Sequence, residues 1–468
     1  MHLTMQGSIF GDCVNILMNQ RKSLGTLAMV FVGVFIYAIV AMVVSRELVI
    51  PHMTLSIDGH IEGDPQYYHL LALKKVDEIR SGGVRQFELR PEGQGPAGVA
   101  SLLYLGTGST YSMVVLNATM HALATFMTVL ILMQWFSRCI SIIASLPLAL
   151  SPYMIVWFSQ INKDSFVLLG VMLFTYGLLN LLNPKARVPF YKEALLYLLV
   201  ALFGMVLIWI MRPYVNQILL PITSLILVVA LVRLSRKPGK GVWFGVALFG
   251  GVMLVSLGLL SKGATSDATL DNFKYFKWQG ESQTVSEKCR STIDIRNWRN
   301  EQYLPNFVNE KLRAMMGQRC NIFTLLETQS NTTTRESIVD MDRFPRGSSE
   351  ALAYLPRAAL LGIFSPWPDR WGYAFYKKPS VFYTVTPIEA ILLYIGFASL
   401  VVWLVWNKAW SVSIPIVLST TVMTTYGMAT PFLGALYRYR YPWWILLICL
   451  GVAALLTLAG NLRSKPQA

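Results

Sequence analysis

The sequence predicts an all-α polytopic membrane protein, and three observations lead to that fold class. Hydrophobic residues make up 54% of the 468 residues, charged residues only 14%, and the mean hydropathy is +0.48. Apolar runs of about 18 residues or more, long enough to cross a bilayer as helices, recur along the chain. The basic residues concentrate in alternate loops between these runs. A soluble globular domain is excluded.

About ten runs qualify as transmembrane helices. With the N-terminus in the cytoplasm, the inner segments carry 13 Lys or Arg residues against two acids, as the positive-inside rule requires. Both termini are then cytoplasmic, and the first run is too long for a cleavable signal peptide. The net charge of +15 reflects this topology and not a nucleic-acid surface, because it is spread over six short loops. The runs cover residues 24–45, 113–135, 139–158, 165–183, 194–211, 214–232, 241–260, 387–406, 410–429 and 442–460.

The first outer loop, residues 46–112, is predicted to be amphipathic. Asp64-Pro65 is typical of an N-cap followed by a first-turn proline, and a helix with alternating leucines and charges follows. Such a helix is expected to lie flat on the bilayer. A second apolar piece, residues 97–105, is predicted to dip into the surface.

One segment is large and polar enough to be an outer-face soluble loop, residues 262–386. It separates an N-terminal membrane module, 1–261, from a C-terminal one, 387–468. Cys289 and Cys320 both fall in this loop, and we predict that they form a disulfide in an oxidising compartment. The chain has no Cys/His spacing typical of a metal site.

Two further local patterns predict helix boundaries. Thr386-Pro387-Ile388-Glu389 predicts a capping box at the start of the eighth span. The stretch from Gly434 to Pro442 predicts an outer turn between the last two spans. Inside the second span, Asn117 and His121 are predicted to bond to neighbouring helices and not to a ligand.

Ionisable side chains gather at the predicted outer ends of the helices, where burial would be costly. Asp64 can act as a general base, and the N-cap role expected of it is compatible with this, because a cap fixes the carboxylate in place. Each cation of the set can equally snorkel to lipid headgroups, so it is their convergence that indicates a site. The candidate phosphate-binding cations are Lys163, Arg212, Arg357, Arg438 and Arg440. The candidate substrate contacts are Tyr67, Tyr68, His69, Asn162, Asp164 and Tyr439.

Three of these features together resemble the GT-C glycosyltransferases, polytopic enzymes that use polyprenyl-phosphate-linked sugars and include protein mannosyltransferases and lipid A aminoarabinose transferases. The first is Asp64 followed by the tyrosine-bearing surface helix. The second is the stretch from Pro91 to Asn117, and the third is the Arg-Tyr-Arg element between Gly434 and Pro442. The chain departs from many members in carrying Pro65 where they carry a second acid.

The resemblance implies transfer of a sugar from a polyprenyl phosphate to a glycan, lipid or protein acceptor on the outer face of a bacterial inner membrane. Asp64 would deprotonate the acceptor hydroxyl, and the cations above would hold the phosphate. A single base implies inversion at the anomeric carbon. The partners are membrane lipids and the lipid-linked donor; no cofactor is implied with certainty, and a divalent metal is left open.

Three alternatives remain at this point. A polysaccharide polymerase or ligase with a polyprenyl-diphosphate donor would depend more on the arginines than on an acid. A transporter or lipid flippase would need polar groups near the bilayer midplane, whereas the polar set predicted here is one-sided. A non-catalytic assembly subunit would leave the convergent outer charges without a purpose.

Overall fold

Most of the described chain is helical, in a computed structural model of the protein. One short antiparallel ribbon interrupts the helices, formed by β1 (Ser56–Ile57) and β2 (His60–Ile61), in which Ser56 pairs with Ile61. The predicted all-α class is confirmed. The structure describes residues 23–52, 56–57, 60–61, 63–183, 190–235, 240–261, 297–328, 338–340, 343–369, 371 and 381–463.

The helices follow one another with short connections. The first eleven are α1 (Ser23–Val44), α2 (Asp64–Gly82), α3 (Gly95–Thr107), α4 (Ser112–Leu132), α5 (Arg138–Ala144), α6 (Leu146–Ala149), α7 (Pro152–Phe158), α8 (Asp164–Leu182), α9 (Phe190–Met211), α10 (Pro213–Ser235) and α11 (Lys240–Ser261). The remaining ones are α12 (Asn306–Thr328), α13 (Ser348–Ala353), α14 (Leu355–Phe364), α15 (Val381–Asn407), α16 (Ser413–Ala429) and α17 (Leu433–Arg463).

Eight helices of the described chain are long and apolar enough to cross a membrane, or nine if one bent pair is a single span. The apolar part of α11, Val246–Ser261, is shorter than a full span within the described residues. Each of the ten predicted runs falls on one of these helices or on the bent pair. The chain is therefore a multi-pass membrane protein, as predicted.

The third predicted span, 139–158, is broken and not straight. Its two halves, Arg138–Ala149 and Pro152–Phe158, meet at a bend of 55°. Pro152 has no amide hydrogen and cannot continue the preceding helix, so the chain restarts there. Ser151 caps the new helix, its hydroxyl oxygen accepting a hydrogen bond of 3.4 Å from the Met154 amide.

A break inside a membrane leaves backbone carbonyls that must find other donors. Two side chains of α4 contact carbonyls of the broken span. His121 Nε2 lies 3.2 Å from the Ala149 carbonyl oxygen at the break, and Asn117 Nδ2 donates at 2.8 Å to the carbonyl of Phe158, the last residue of α7. Asn117 and His121 are one turn apart and therefore share a face of α4. The structure gives both the interhelical contacts that the sequence predicted.

The start of α15 differs from the prediction. The helix begins at Val381, before the Thr386–Glu389 sequence, so Glu389 lies inside it and the predicted capping box is wrong. The pattern fails because the chain upstream of Thr386 is itself helical. Glu389 is buried and accepts a hydrogen bond of 2.9 Å from the Ser151 hydroxyl, so it holds the cap of the broken span.

The chain divides into two compact units. The first comprises Met1–Ser266, Lys378–Pro415 and Ile445–Ala468, and the second comprises Asp267–Lys377 and Ile416–Trp444. Within the first unit α8 packs along α9, and α4 contacts both α1 and α8. Gly170 and Gly204 let the backbones of α8 and α9 approach closely, since a Cβ at Gly204 would lie 2.6 Å from the Gly170 carbonyl. The predicted three-part division along the chain stays a prediction.

Candidate active site

Asp64 is the first residue of α2 and not its N-cap. The N-cap is Gly63, whose φ of +107° is a conformation that glycine adopts readily and other residues avoid. Pro65 occupies the first turn, as predicted, and the Tyr67 amide closes that turn by donating to the Gly63 carbonyl at 3.0 Å. The Asp64 carboxylate therefore projects from a defined helix start, and the residue is exposed to solvent.

Tyr67, an exposed residue three positions after Asp64, is hydrogen-bonded to a neighbouring loop. The Tyr67 hydroxyl donates to Glu92 Oε2 at 2.6 Å. Burial, together with the hydrogen bond to Glu92 and its negative charge, raises the pKa of Tyr67 to about 12. The phenol consequently stays protonated near neutral pH and acts as a donor.

Lys163, one of the predicted cations, lies beside the next tyrosine of α2. Its ammonium nitrogen is 5.2 Å from the ring centroid of Tyr68, within the range of a cation–π contact. It also donates to Gln94 Oε1 at 2.7 Å. Tyr68 lies one turn after Asp64 on the same side of α2, so Lys163 is connected through Tyr68 to the helix that carries the carboxylate.

His69 is buried and faces α3, away from solvent. Its Nδ1 lies 3.1 Å from the Tyr104 hydroxyl, and its ring lies beside that of His60, tilted by 32° with the centroids 4.5 Å apart. The predicted substrate contact by His69 receives no support from this position. The histidine instead joins α2, α3 and β2.

The loop from Ser159 to Asp164 is held by its own side chains. Asn162 Oδ1 accepts from the Asp164 amide at 2.9 Å, and Asn162 Nδ2 donates to the Trp157 carbonyl. Asp164 forms an ion pair with Arg212 in which both side chains are almost fully buried, at 3% and 2% exposure. Arg212, predicted to bind phosphate, and Asp164, predicted as a substrate contact, thus engage each other.

This buried pair gives a first testable prediction. Asp164→Asn leaves the Arg212 guanidinium buried without its carboxylate, a change that typically costs about 3–5 kcal/mol. We expect a lower apparent Tm of the purified protein in detergent. The Asp164→Leu/Arg212→Met double variant, which removes both charges, should recover most of the loss. A double variant no more stable than Asp164→Asn alone would contradict the pairing.

His60 gives a second prediction, on pH. Burial, with the positive charges of Arg46 and His69 adding to it, lowers the pKa of His60 to about 3. The folded protein therefore keeps this imidazole neutral, whereas the unfolded chain binds a proton below about pH 6.5. Stability from this group is full above pH 6.5 and is lost progressively as the pH falls toward 3. At pH 5 the loss amounts to about 2 kcal/mol.

The measurement is the apparent Tm at pH 7 and pH 5, for wild type and His60→Gln. We expect a smaller drop in His60→Gln, because that side chain does not titrate. The matched control is His52→Gln at an exposed histidine, which should drop as wild type does. Equal drops in wild type and His60→Gln would show that His60 is not held neutral.

In the second unit, Arg357 is part of a polar cluster around Asp340. Its Nε and Nη2 donate to the two carboxylate oxygens of Asp340 at 3.1 and 2.9 Å, and Tyr354 donates to the same carboxylate at 2.8 Å. Burial works to raise the pKa of Asp340, but the hydrogen bonds from Arg357 and Tyr354 outweigh it and hold that pKa below its ordinary value. The guanidinium of Arg357 also lies 4.4 Å from the ring centroid of Trp367.

Arg319 lies deeper in this cluster, and the sequence analysis missed it. It is 1% exposed and donates to the carbonyls of Val339 and Asp340 at 3.2 and 3.3 Å. Its guanidinium is 5.1 Å from the ring centroid of Tyr354. The spacing of Tyr354 and Arg357, three residues apart on a helical stretch, could have predicted their proximity. Nothing in the sequence connects them to Asp340 or Arg319.

The predicted outer turn between Gly434 and Pro442 is wrong, because these residues form the first turns of α17. Arg438 and Arg440 are two residues apart on a helix, about 200° around its axis, and therefore point to different sides. Both are buried, at 9% and 0% exposure, and Tyr439 lies between them in the sequence.

Arg440 caps the C-terminal end of α14. Its Nη1 donates to the carbonyls of Leu361 and Gly362 at 3.1 and 2.8 Å and to the Ser365 hydroxyl at 3.0 Å; Nη2 donates to the Ser365 carbonyl. The last carbonyls of a helix have no partner within it and carry partial negative charge, so a guanidinium there is stabilising. Trp444 completes the cap by donating to the Ile363 carbonyl at 2.9 Å. Phosphate binding by Arg440 gains no support from this arrangement.

Other predictions fall partly outside the described residues. Cys320 is buried on α12, but Cys289 lies outside the part of the chain that the structure describes, so their pairing stays a prediction. Among the described residues, no group of three His, Cys, Asp or Glu side chains could hold a metal ion. The predicted site residues are divided between the two units, with Asp64, Lys163 and Arg212 in the first.

The helices define a multi-pass helical membrane protein, and the predicted site residues Asp64, Lys163 and Arg212 lie in its first unit. Its fold is similar to that of the archaeal oligosaccharyltransferase AglB from Archaeoglobus fulgidus, solved in complex with an inhibitory peptide and a dolichol-phosphate, with a TM-score of 0.50 and 12% sequence identity. The similarity covers 92% of this chain and 51% of that one, so the chain spans about half the length of that protein. No protein-family profile and no curated protein sequence matches the chain. The GT-C-type fold expected from the resemblance is confirmed.

Proposed function

We propose that the protein transfers a sugar from a polyprenyl-phosphate donor to an acceptor hydroxyl on the outer face of a bacterial inner membrane. The observation that carries the proposal is the exposed Asp64 carboxylate at the start of a packed helix, in a chain with a GT-C-type fold. A general base must be rigidly placed and yet reachable by substrate. Asp64 meets both requirements.

In the proposed reaction Asp64 accepts the proton of the acceptor hydroxyl. The acceptor oxygen then forms a bond to the anomeric carbon of the donor sugar. The bond from that carbon to the phosphate oxygen breaks, and its electron pair leaves with the polyprenyl phosphate. With one carboxylate and no covalent intermediate, the sugar configuration is inverted.

The leaving phosphate needs a positive partner as its charge develops. Lys163 is the predicted cation best suited within the first unit, because it is only partly buried and lies against Tyr68 on the Asp64-bearing helix. Phosphate binding by Arg357 and Arg438, which belong to the second unit, stays a prediction. Arg212 and Arg440 are less suited, since a buried carboxylate and a helix end already engage them.

The similar solved structure holds a dolichol-phosphate, and this lipid supports the proposed donor class. The same structure also holds a peptide. We propose a lipid-linked donor for this chain and leave the acceptor as a glycan, lipid or protein. The proposed topology has both termini in the cytoplasm and the 262–386 segment in the periplasm or outside the cell. A divalent metal ion, if the reaction requires one, would add positive charge at the phosphate beside that of Lys163.

The experiment is sugar transfer by purified protein in proteoliposomes, with labelled polyprenyl-monophosphate and polyprenyl-diphosphate sugars offered in parallel. The proposal expects label in an acceptor fraction only with the monophosphate pool. Parallel reactions with Mg²⁺, with Mn²⁺ and with a chelator test the metal. Transfer from the diphosphate pool alone would instead identify a polymerase or ligase and contradict the proposed donor.

A further inference from the structure

The segment that leads into α2 is held from the side by Gln160. The Ile61 amide donates to Gln160 Oε1 at 2.9 Å, three residues before Asp64. Between them Gly63 turns the chain sharply, with its φ of +107°. Gln160 fixes the end of the strand at Ile61, and the turn at Gly63 connects that end to α2. The hydrogen bond to Gln160 therefore helps to set the position of the first residue of α2.

Gln160 is itself fixed to the membrane part of the first unit. It is fully buried, and its backbone carbonyl accepts from Asn117 Nδ2 at 2.9 Å. Asn117 is held in turn by the Ser165 hydroxyl, which donates to Asn117 Oδ1 at 2.7 Å. The amide of Gln160 therefore reaches Ile61 from a rigid base on α4 and not from a mobile loop.

A second contact holds the same segment from the α2 side. His60, fully buried, lies against the ring of His69, and His69 is bonded to Tyr104 of α3. Because His69 is part of α2, its contact with His60 joins this segment directly to the helix that begins at Asp64. The two neighbours are therefore held by different partners, Ile61 by Gln160 and His60 by His69.

We propose that Gln160 is a positioning residue for Asp64, acting through the Ile61 amide and the turn at Gly63. The inference rests on the proposed function, in which Asp64 is the base. Gln160 touches no reacting atom. It holds the carboxylate within the few tenths of an ångström that proton transfer tolerates, and a displacement of about 1 Å can lower a rate by about 100-fold.

The test compares wild type with Gln160→Leu, which keeps the bulk of the side chain and removes the acceptor. Hydrogen exchange of peptides covering residues 60–64 should become about tenfold faster, because the Ile61 amide loses its partner. In the sugar-transfer assay kcat should fall about tenfold, with the KM for the lipid-linked donor within about twofold of wild type. Gln160→Glu keeps an acceptor oxygen and should restore both slow exchange and turnover.

The matched control is Gln134→Leu, two residues after the end of α4, which removes the hydrogen bond of 3.2 Å that Gln134 donates to Asn180. It should leave exchange at residues 60–64 and kcat unchanged. If Gln160→Leu gives little folded protein, Gln160→Asn withdraws the acceptor with a shorter side chain and carries the same expectation.

Two outcomes overturn the inference. If exchange at Ile61 stays slow in Gln160→Leu, the Ile61 amide does not depend on Gln160 for its hydrogen bond. Suppose that Gln160→Leu shows faster exchange but full kcat, and that Asp64→Asn is inactive in the same assay. Gln160 would then not position Asp64, although Asp64 would still be the base. Full activity of Asp64→Asn overturns the proposed function itself, and that result is read without any Gln160 variant.

Discussion

Asp64→Asn is expected to lower sugar transfer by about 100- to 10,000-fold, the range that a positioned general base contributes. The asparagine keeps the size of the side chain and its place at the start of α2, but it cannot accept a proton at neutral pH. The measurement is kcat and KM with the polyprenyl-phosphate donor. We expect the loss in kcat and little change in donor KM, because in the proposed reaction Asp64 acts on the acceptor hydroxyl in the transition state.

The matched control is Asp77→Asn, an exposed aspartate on the same helix. It makes the same chemical change three to four turns away and should leave transfer at the wild-type level. Equal thermal stability of the two variants would exclude misfolding as the cause of any loss. Full transfer by Asp64→Asn, or an equal loss in both variants, would show that Asp64 is not the base.

Much of the fold could be predicted because it depends on local chemistry. Long apolar runs have one stable solution in a bilayer, so the spans and their order follow from composition and length. The surface helix was predicted from Asp64-Pro65, and in the structure it runs from Asp64 to Gly82. Its first residue was misplaced by one, since Gly63 takes the cap in a conformation that no side-chain pattern signals.

The broken third span shows where local reasoning stops. Pro147 and Pro152 are visible in the sequence, but the run between 139 and 158 is apolar enough to be predicted as one helix. The break is tolerated because His121 and Glu389, from distant parts of the chain, contact the Ala149 carbonyl and the Ser151 cap there. These contacts form only in the tertiary structure, so the hydropathy of the sequence cannot predict them.

The candidate site was predictable in its residue types more than in their roles. Arg-Tyr-Arg suggests two guanidinium groups on one turn, yet a helix places Arg438 and Arg440 on different sides. Arg212 and Arg440 were chosen for their charge, which suits a phosphate as well as it suits a carboxylate or a helix end. Only the folded chain distinguishes these partners, because Asp164 and the end of α14 are remote in sequence from the arginines they contact.

Arg440→Met is expected to destabilise the second unit by roughly 3–4 kcal/mol. The variant keeps the bulk of the side chain but removes the donors that cap α14, and buried carbonyls left without a partner cost about 1–3 kcal/mol each. Arg440→Lys should recover only part of the loss, because a single ammonium cannot reach the set of acceptors that the planar guanidinium spans. The measurement is the apparent Tm of the purified protein, with limited proteolysis to locate the weakened region.

The control is Lys311→Met, which removes an exposed cation of the same unit and should leave the Tm unchanged. The comparison also decides between the two roles of Arg440. A phosphate ligand would give a variant that is as stable as wild type but has a raised donor KM, and that result would contradict the capping role. If the Tm falls and the remaining folded protein binds the donor as wild type does, Arg440 stabilises the fold and does not bind the phosphate. The phosphate would then have to be held by Lys163, Arg357 or Arg438.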